Sequence, residues 1–306
     1  MGRMPHMIDL GTLGGIFSGA FGINDRGQIV GASRTANNLE LNAFLWQKGV
    51  MTDLGSIGGN FSVALSINNR KQVVGYTETA TNSPLHAFLW QKGVMTDLGT
   101  LGGNISIANN INDRGQIVGG SETASGETHA FLWEDGVMTD LGTLGGSISG
   151  ASSINERGQI VGGSETANGE FHVFLWEDGV MTDLGTLGGS VGGAISINEC
   201  GQIVGDSLTA NGESHAFLWQ NGVMTDLGTL GGTFSVAFSI NDRGQITGFS
   251  ETANGSVLAF LWQNGVMTDL GTLGGTFSTA FGINNRGQIV GDSETANGED
   301  HAFLWE

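Results

Sequence analysis

The sequence predicts an all-β fold, a seven-bladed β-propeller with four antiparallel strands per blade, on three observations. First, the seven tryptophans fall at positions 46, 90, 133, 176, 219, 262 and 305, so a unit of 44 and then 43 residues recurs along the 306. A repeat of this length with four strand signals suits a propeller blade better than a leucine-rich or helical solenoid unit. Second, 54 glycines, 39% hydrophobic residues and only 13% charged ones disfavour helices, inside which glycine is costly. Third, Met7-Ile8-Asp9-Leu10 matches the fourth strand of the repeat, whereas Trp305-Glu306 ends a third strand. The two fragments make one blade, so the N-terminal strand is expected to pair with the three C-terminal strands and close the seventh blade. An open solenoid would need polar capping repeats, and none is present.

Each strand of the repeat follows from its own signals. Strand A of the last copy is Phe277-Ser278-Thr279-Ala280-Phe281-Gly282-Ile283, and Asn284-Asn285-Arg286-Gly287 then has the chemistry of a type I turn with glycine in the left-handed position. Strand B is Gln288-Ile289-Val290-Gly291-Asp292-Ser293, and Ala296-Asn297-Gly298-Glu299 turns the chain into strand C, His301-Ala302-Phe303-Leu304-Trp305. Two-residue loops such as Asn264-Gly265, Asp135-Gly136 and Lys48-Gly49 lead to strand D, with glycine supplying positive φ. Along strand A, Phe234, Val236, Phe238 and Ile240 alternate with Ser235, Ala237 and Ser239, so a bulky face is expected to nest against a small face of the next blade. The expected blades are 15–55, 59–99, 103–142, 146–185, 189–228, 232–271 and 275–306 plus 7–11, all in one domain 1–306.

Charge and cysteine usage narrow the function. Thirty acids against 11 bases give a formal charge of −19, which opposes binding to nucleic acid or anionic membranes. The single Cys200 excludes an intramolecular disulfide framework and supplies no metal cluster. No apolar stretch approaches membrane-span length, and Met1-Gly2-Arg3-Met4-Pro5-His6 is too short and polar for a secretory signal, so none is expected in this chain.

The phrases His215-Ala216-Phe217-Leu218-Trp219, Met224-Thr225-Asp226-Leu227-Gly228 and Ile240-Asn241-Asp242-Arg243-Gly244-Gln245-Ile246 resemble the bacterial HAF-repeat family of extracellular repeats. The resemblance spans nearly the whole chain. It departs at Asn42 and Leu258, which stand where the signature His would, and at Val173, which replaces Ala. It implies secretion or surface exposure in a bacterium and brings no catalytic residues. The period is also similar to that of WD40 propellers, without their Trp-Asp ending or Gly-His opening.

Several residue sets are candidate sites. A strand C His and a strand D Asp are diagonal neighbours, giving the pairs His86 with Asp97, His129 with Asp140, His172 with Asp183, His215 with Asp226 and, across the closure, His301 with Asp9. A metal or acid–base role competes with a structural hydrogen bond inside the stack, which the repetition favours. Arg26, Arg70, Arg114, Arg157, Arg243 and Arg286 occupy the A-to-B turns, with Cys200 in the fifth copy, and are expected to ring one channel mouth as an anion site; each follows Asp, Glu or Asn, so local ion pairing and plain solvation are the plainer reading. The opposite face collects Glu122, Glu127, Glu165, Glu170, Glu213, Glu251, Glu294, Glu299 and Asp300, without calcium-loop spacing, so solvation is expected. Loops Leu39-Glu40-Leu41 and Asn82-Ser83-Pro84-Leu85 are each one residue longer than their counterparts and break the symmetry. The glycine-rich connections lack the Gly-Lys-Ser/Thr of a phosphate loop, and the tryptophans read as inter-blade filling.

Catalysis needs unlike groups converging at one place, whereas this chain spreads the same residues round a ring. The expected function is therefore a noncatalytic binding or scaffolding propeller, monomeric and without cofactor or metal, whose partner is a protein, a glycan or a small anion. A structural or adhesive surface module, or a hydrolase or lyase working at the channel, are the alternatives.

Overall fold

A computed structural model describes residues 6–81 and 83–306; Met1 to Pro5 and Asn82 of the second long loop lie outside the described residues. The described residues form 28 strands and no helix, so no helix is long and apolar enough to cross a membrane. In the fourth copy strand A is Gly145–Ile154, strand B Ile160–Thr166, strand C Phe171–Glu177 and strand D Val180–Gly185. They pair antiparallel in the order A-B-C-D. The last copy draws its fourth strand from Met7–Asp9, with Met7 opposite Trp305, Ile8 opposite Leu304 and Asp9 opposite Phe303. Single parallel pairs, such as Phe17 with Asp300 and Phe171 with Val191, stitch some neighbouring copies together.

The turns adopt the backbone their residues demand. Gly158 in the A-to-B turn has φ 84°, and its NH donates to Asn155 O at 3.1 Å. Lys71 occupies that place in the second copy at φ 65°, where a side chain is disfavoured. Both residues of the C-to-D loops have positive φ, 52° at Asp178 and 84° at Gly179, as a type I′ hairpin requires.

The core lies between copies. Seven buried clusters each combine two neighbours: Val118 and Ala130 of the third copy pack with Ala151, Ile154, Ile160 and Phe174 of the fourth. The first and last copies are joined in the same way, with Val290, Ala302 and Leu304 against Ala20, Ile29 and Phe44, and Leu10 completing the cluster. The tryptophans are partly buried against these clusters, as Trp176 is against the fourth.

The strict alternation expected along strand A is interrupted in every copy by a bulge near its end. Ala237 pairs with Gly248 and Ser239 with Thr247, leaving Phe238 as an extra residue, a β-bulge. Ala237 and Ile240, expected on opposite faces, therefore join the same buried cluster, and Phe238 turns to the central cavity. Opposite each bulge stands a strand B glycine. A Cβ added to Gly162 would overlap the carbonyl oxygen of Gly150, and Gly248 stands in the same relation to Val236. Close backbone approach is thus the reason for the Ile-Val-Gly of strand B.

Candidate functional site

The inner strands and their turns enclose a central channel with two unlike parts. At the turn end, Asn24, Asn68, Asn112, Asn155, Asn198, Asn241 and Asn284 each hold their own turn and reach the next copy. Asn155 Oδ1 accepts from the NH groups of Arg157 and Gln159, and its Nδ2 donates to Gln159 Oε1 at 2.7 Å and to Asn198 O at 3.2 Å. The series of amide-to-carbonyl bonds returns to its start when Asn284 Nδ2 donates to Asn24 O at 3.1 Å. A second series lies beside it, in which the NH of the next turn residue donates to its counterpart's side chain. Glu156 NH reaches Glu199 Oε1 at 2.8 Å, Glu199 NH reaches Asp242 Oδ1 at 2.9 Å, and Asn285 NH reaches Asp25 Oδ1 at 2.9 Å. This second turn position therefore adds five carboxylates and two amides to the asparagines of the mouth, and burial raises the Glu199 pKa above the usual carboxylate range.

The six arginines expected at this mouth do not line it. Arg26, Arg70, Arg114, Arg157, Arg243 and Arg286 are exposed, and the residue before each faces the channel in its place. That inward residue is fixed by the NH of the preceding copy, which points the following side chain outward. The expected arginine ring is thus replaced by an acidic one, a poor setting for a small anion. Local pairing with the preceding acid is also missing: every ion pair within 4.0 Å among the described residues involves a histidine.

Deeper along the axis lies a cavity of about 490 Å³. Its wall holds all seven bulge residues, Phe21, Leu65, Asn109, Ser152, Ile195, Phe238 and Phe281, each half-buried. Phe21, Phe238 and Phe281 are contiguous, with ring centroids 5.3 Å apart for Phe21–Phe281 and 5.0 Å for Phe238–Phe281. Asn109, Asn110, Ser152, Ser153, Ser196 and Ser239 are among the polar residues of the wall, and no charged residue lines it among the described residues. The protein's single tyrosine, Tyr76, lines it too, and burial raises its pKa. Sequence reading missed this site because it relied on unbroken alternation; the isolated glycine inside strand B was the available signal.

The histidine–aspartate sets sit away from the channel. His86 Nδ1 lies 2.8 Å from Asp97 Oδ2, His129 2.8 Å from Asp140, His172 2.8 Å from Asp183, His215 2.7 Å from Asp226 and His301 2.8 Å from Asp9. The aspartates are about 40% exposed, at 37–43%, so the pairs lie at the edge of the stack rather than inside it. In the first copy Asn42 Nδ2 donates to Asp53 Oδ2 at 3.0 Å in place of His. The other oxygen caps the connection that follows, as Gly185 NH donates to Asp183 Oδ1 at 2.8 Å. Among the described residues no three His, Cys, Asp or Glu come together as a metal site.

The acidic face is bonded rather than merely solvated. Glu165 accepts from Ser147 NH at 2.7 Å, and Glu251 and Glu294 accept likewise from Thr233 and Thr276. These bonds hold all three carboxyls below their ordinary range. Glu170 approaches His172 Nε2 at 3.3 Å, with Asp183 on the other ring nitrogen. One carboxyl is an exception: Asp292, at the junction of the last and first copies, has Oδ1 buried without a partner, and burial with Asp300 nearby pushes its pKa up to about 7. In the long first loop Leu39 is 74% exposed.

No family model and no curated protein sequence matches the chain. Among solved structures it is similar to the β-propeller domain of the Trilobed protease from Pyrococcus furiosus, a domain with an open velcro topology, with a TM-score of 0.62 at 12% identity over 95% of this chain and 93% of that one. It is also similar to the WD40 β-propeller domain of Doa1, at 0.57 and 13% identity over 97% and 96%. A puromycin-hydrolysing peptidase of Mycobacterium tuberculosis matches at 0.61 and 11% identity over 90% of this chain but 48% of that one. At these identities the likeness concerns the fold alone, and the fold of this chain is a β-propeller.

Proposed function

We propose that the chain is a noncatalytic binding propeller of seven four-stranded blades, its ring closed by strand Met7–Asp9 on Asp300–Trp305, with its ligand in the axial cavity. Blade boundaries of 15–55, 59–99, 103–142, 146–185, 189–228, 232–271 and 275–306 plus 7–11 follow from that reading. The observation that carries it is the composition of the bulge ring. The turns repeat Asn seven times, while the bulges present Phe, Leu, Asn, Ser, Ile, Phe and Phe to one cavity. A wall that differs from blade to blade can orient one asymmetric molecule, which a sevenfold-identical wall cannot. Among the described residues that wall carries no His, Cys, Lys, Arg or carboxylate, so its serine hydroxyls and the Tyr76 phenol have no base beside them to activate them, which favours binding over catalysis. The motif resemblance favours a secreted or surface-exposed bacterial protein.

A small-molecule and glycan screen by thermal shift, run beside a hydrolase substrate panel, tests the reading. The expected result is a stabilising ligand whose effect disappears in Asn109→Leu, with no turnover by the parent or by Cys200→Ser. Turnover that co-purifies with the folded protein, or ligands indifferent to Asn109→Leu, would overturn it.

A further inference from the structure

Resting on the axial-cavity reading above, the geometry points to a neutral sugar residue as the occupant of the bulge-ring cavity. Three features of the wall lead to that chemistry. The first is charge. The chain carries 30 acids, yet among the described residues none lines this cavity, and no Lys, Arg or His does either. An ion moved there would lose its hydration with no opposite charge to replace it, a cost far above that of burying a neutral hydroxyl.

The second is the division of the wall into two arcs. Ile195, Phe238, Phe281, Phe21 and Leu65 come from five consecutive copies and form an apolar arc, while Asn109 and Ser152 complete the ring at the same level. Next along the strands, Ser66, Asn110, Ser153, Ser196 and Ser239 add hydroxyls and an amide. Asn109 Nδ2 is engaged by Ala151 O at 2.8 Å, which leaves its Oδ1 to accept. The half-buried Ser152 and Ser196 make no side-chain hydrogen bond among the described residues, so each offers a hydroxyl that can both donate and accept. A purely apolar occupant would strand these groups at about 1–3 kcal/mol each. A sugar ring matches both arcs at once, presenting C–H groups on one face and hydroxyls round its edge.

The third is the tilt of the phenyl rings. Phe21 and Phe281 meet at 71°, and Phe238 and Phe281 at 49°. The rings make a faceted wall that suits a puckered ring better than the parallel-faced slot a flat heterocycle would take. The volume, about 490 Å³, lies within the range of about 300–1,000 Å³ typical of small-molecule sites.

Titration calorimetry on the full chain with neutral hexoses, 6-deoxyhexoses and pentoses, their methyl glycosides and short oligosaccharides tests this, with the matching uronic acids and amino sugars as charged counterparts. The expected result is one site per chain for at least one neutral sugar, weakened about tenfold or more by Phe281→Ala and by Ser196→Val, and about tenfold weaker for its charged counterparts. Circular dichroism and melting of each variant identify any loss due to unfolding; Ser196→Val, which replaces the hydroxyl by methyl groups at a half-buried site, carries the test if Phe281→Ala does not fold. Free sugar and methyl glycoside binding alike indicate capture of a chain end, whereas preference for the free sugar indicates a free monosaccharide; either supports the inference. If a flat heterocycle binds and is lost in the same variants while no sugar binds, the sugar inference falls and the axial reading stands. If neither sugars nor heterocycles bind through these residues, both fall.

Discussion

The asparagine ring and the bulge ring lie three residues apart on the same seven inner strands, yet they are built on opposite rules. Asn24 and its six counterparts are identical because each must hold its own turn and reach the next copy's carbonyl, a task the same in every copy. Phe21 and its counterparts are released from the ladder by the bulge, so nothing in the sheet dictates their side chains. Uniformity therefore marks construction and, under the proposed axial site, variety marks selectivity. The core between copies obeys the first rule: the fully buried Phe44, Phe88, Phe131, Phe174, Phe217, Phe260 and Phe303 are identical in all seven copies.

Removing residues 1–10 makes the severest break in the construction, because it deletes strand Met7–Asp9, the buried Leu10 and the partner of His301. Deleting buried Leu or Met side chains costs about 2–5 kcal/mol each, so a loss above about 4 kcal/mol in denaturant unfolding is expected. Loss comparable to that from trimming an ordinary frayed terminus would remove the closing role given to this strand.

The bulge itself is tested by a pair of glycines. Gly162→Ala drives a Cβ into the Gly150 carbonyl oxygen and should cost about 3 kcal/mol, whereas Gly193 has open space around its Cβ position and its alanine variant should stay within about 0.5 kcal/mol of the parent. Equal costs for the two would contradict the close approach assigned to strand B.

Asp292 sharpens the comparison where the last copy packs against the first. Its carboxyl keeps its proton up to about pH 7 when folded, against 3.8 ordinarily, so the folded state binds more protons between those values. Stability from this group is full below about pH 4, falls as pH rises towards 7 and is flat beyond. Asp292→Asn should remove that slope and gain up to about 4 kcal/mol relative to the parent between pH 4 and pH 8, read from paired denaturant titrations. A parallel pH dependence in both proteins would show that the buried oxygen has found a partner. Smallest is Lys71→Gly, which relieves a left-handed side chain and should raise stability by about 1 kcal/mol; a lower melting temperature would refute the turn geometry.

Much of the architecture was legible because it repeats. The tryptophan spacing, the Asn-Gly and Asp-Gly hairpins and the split repeat at the termini each carry a local physical meaning, and the His–Asp contacts follow from strand register. The central cavity was not legible, because a bulge shifts which side of strand A faces the axis, so Phe238 reads as inter-blade filling when alternation is assumed unbroken. The arginines misled for a similar reason: adjacent turn residues point in opposite directions, and composition does not say which faces inward. Glu165 and its counterparts read as solvated because their backbone partners lie 18 residues earlier in the chain.

Where a ligand sits is the most direct test of the axial site. A crystal structure of the protein soaked with the neutral sugar that binds best should show density in the axial cavity, against Phe281 and within hydrogen-bonding reach of Asn109 or Ser152. Density on the rim or beside Leu39, with the axial cavity empty of sugar, would contradict it.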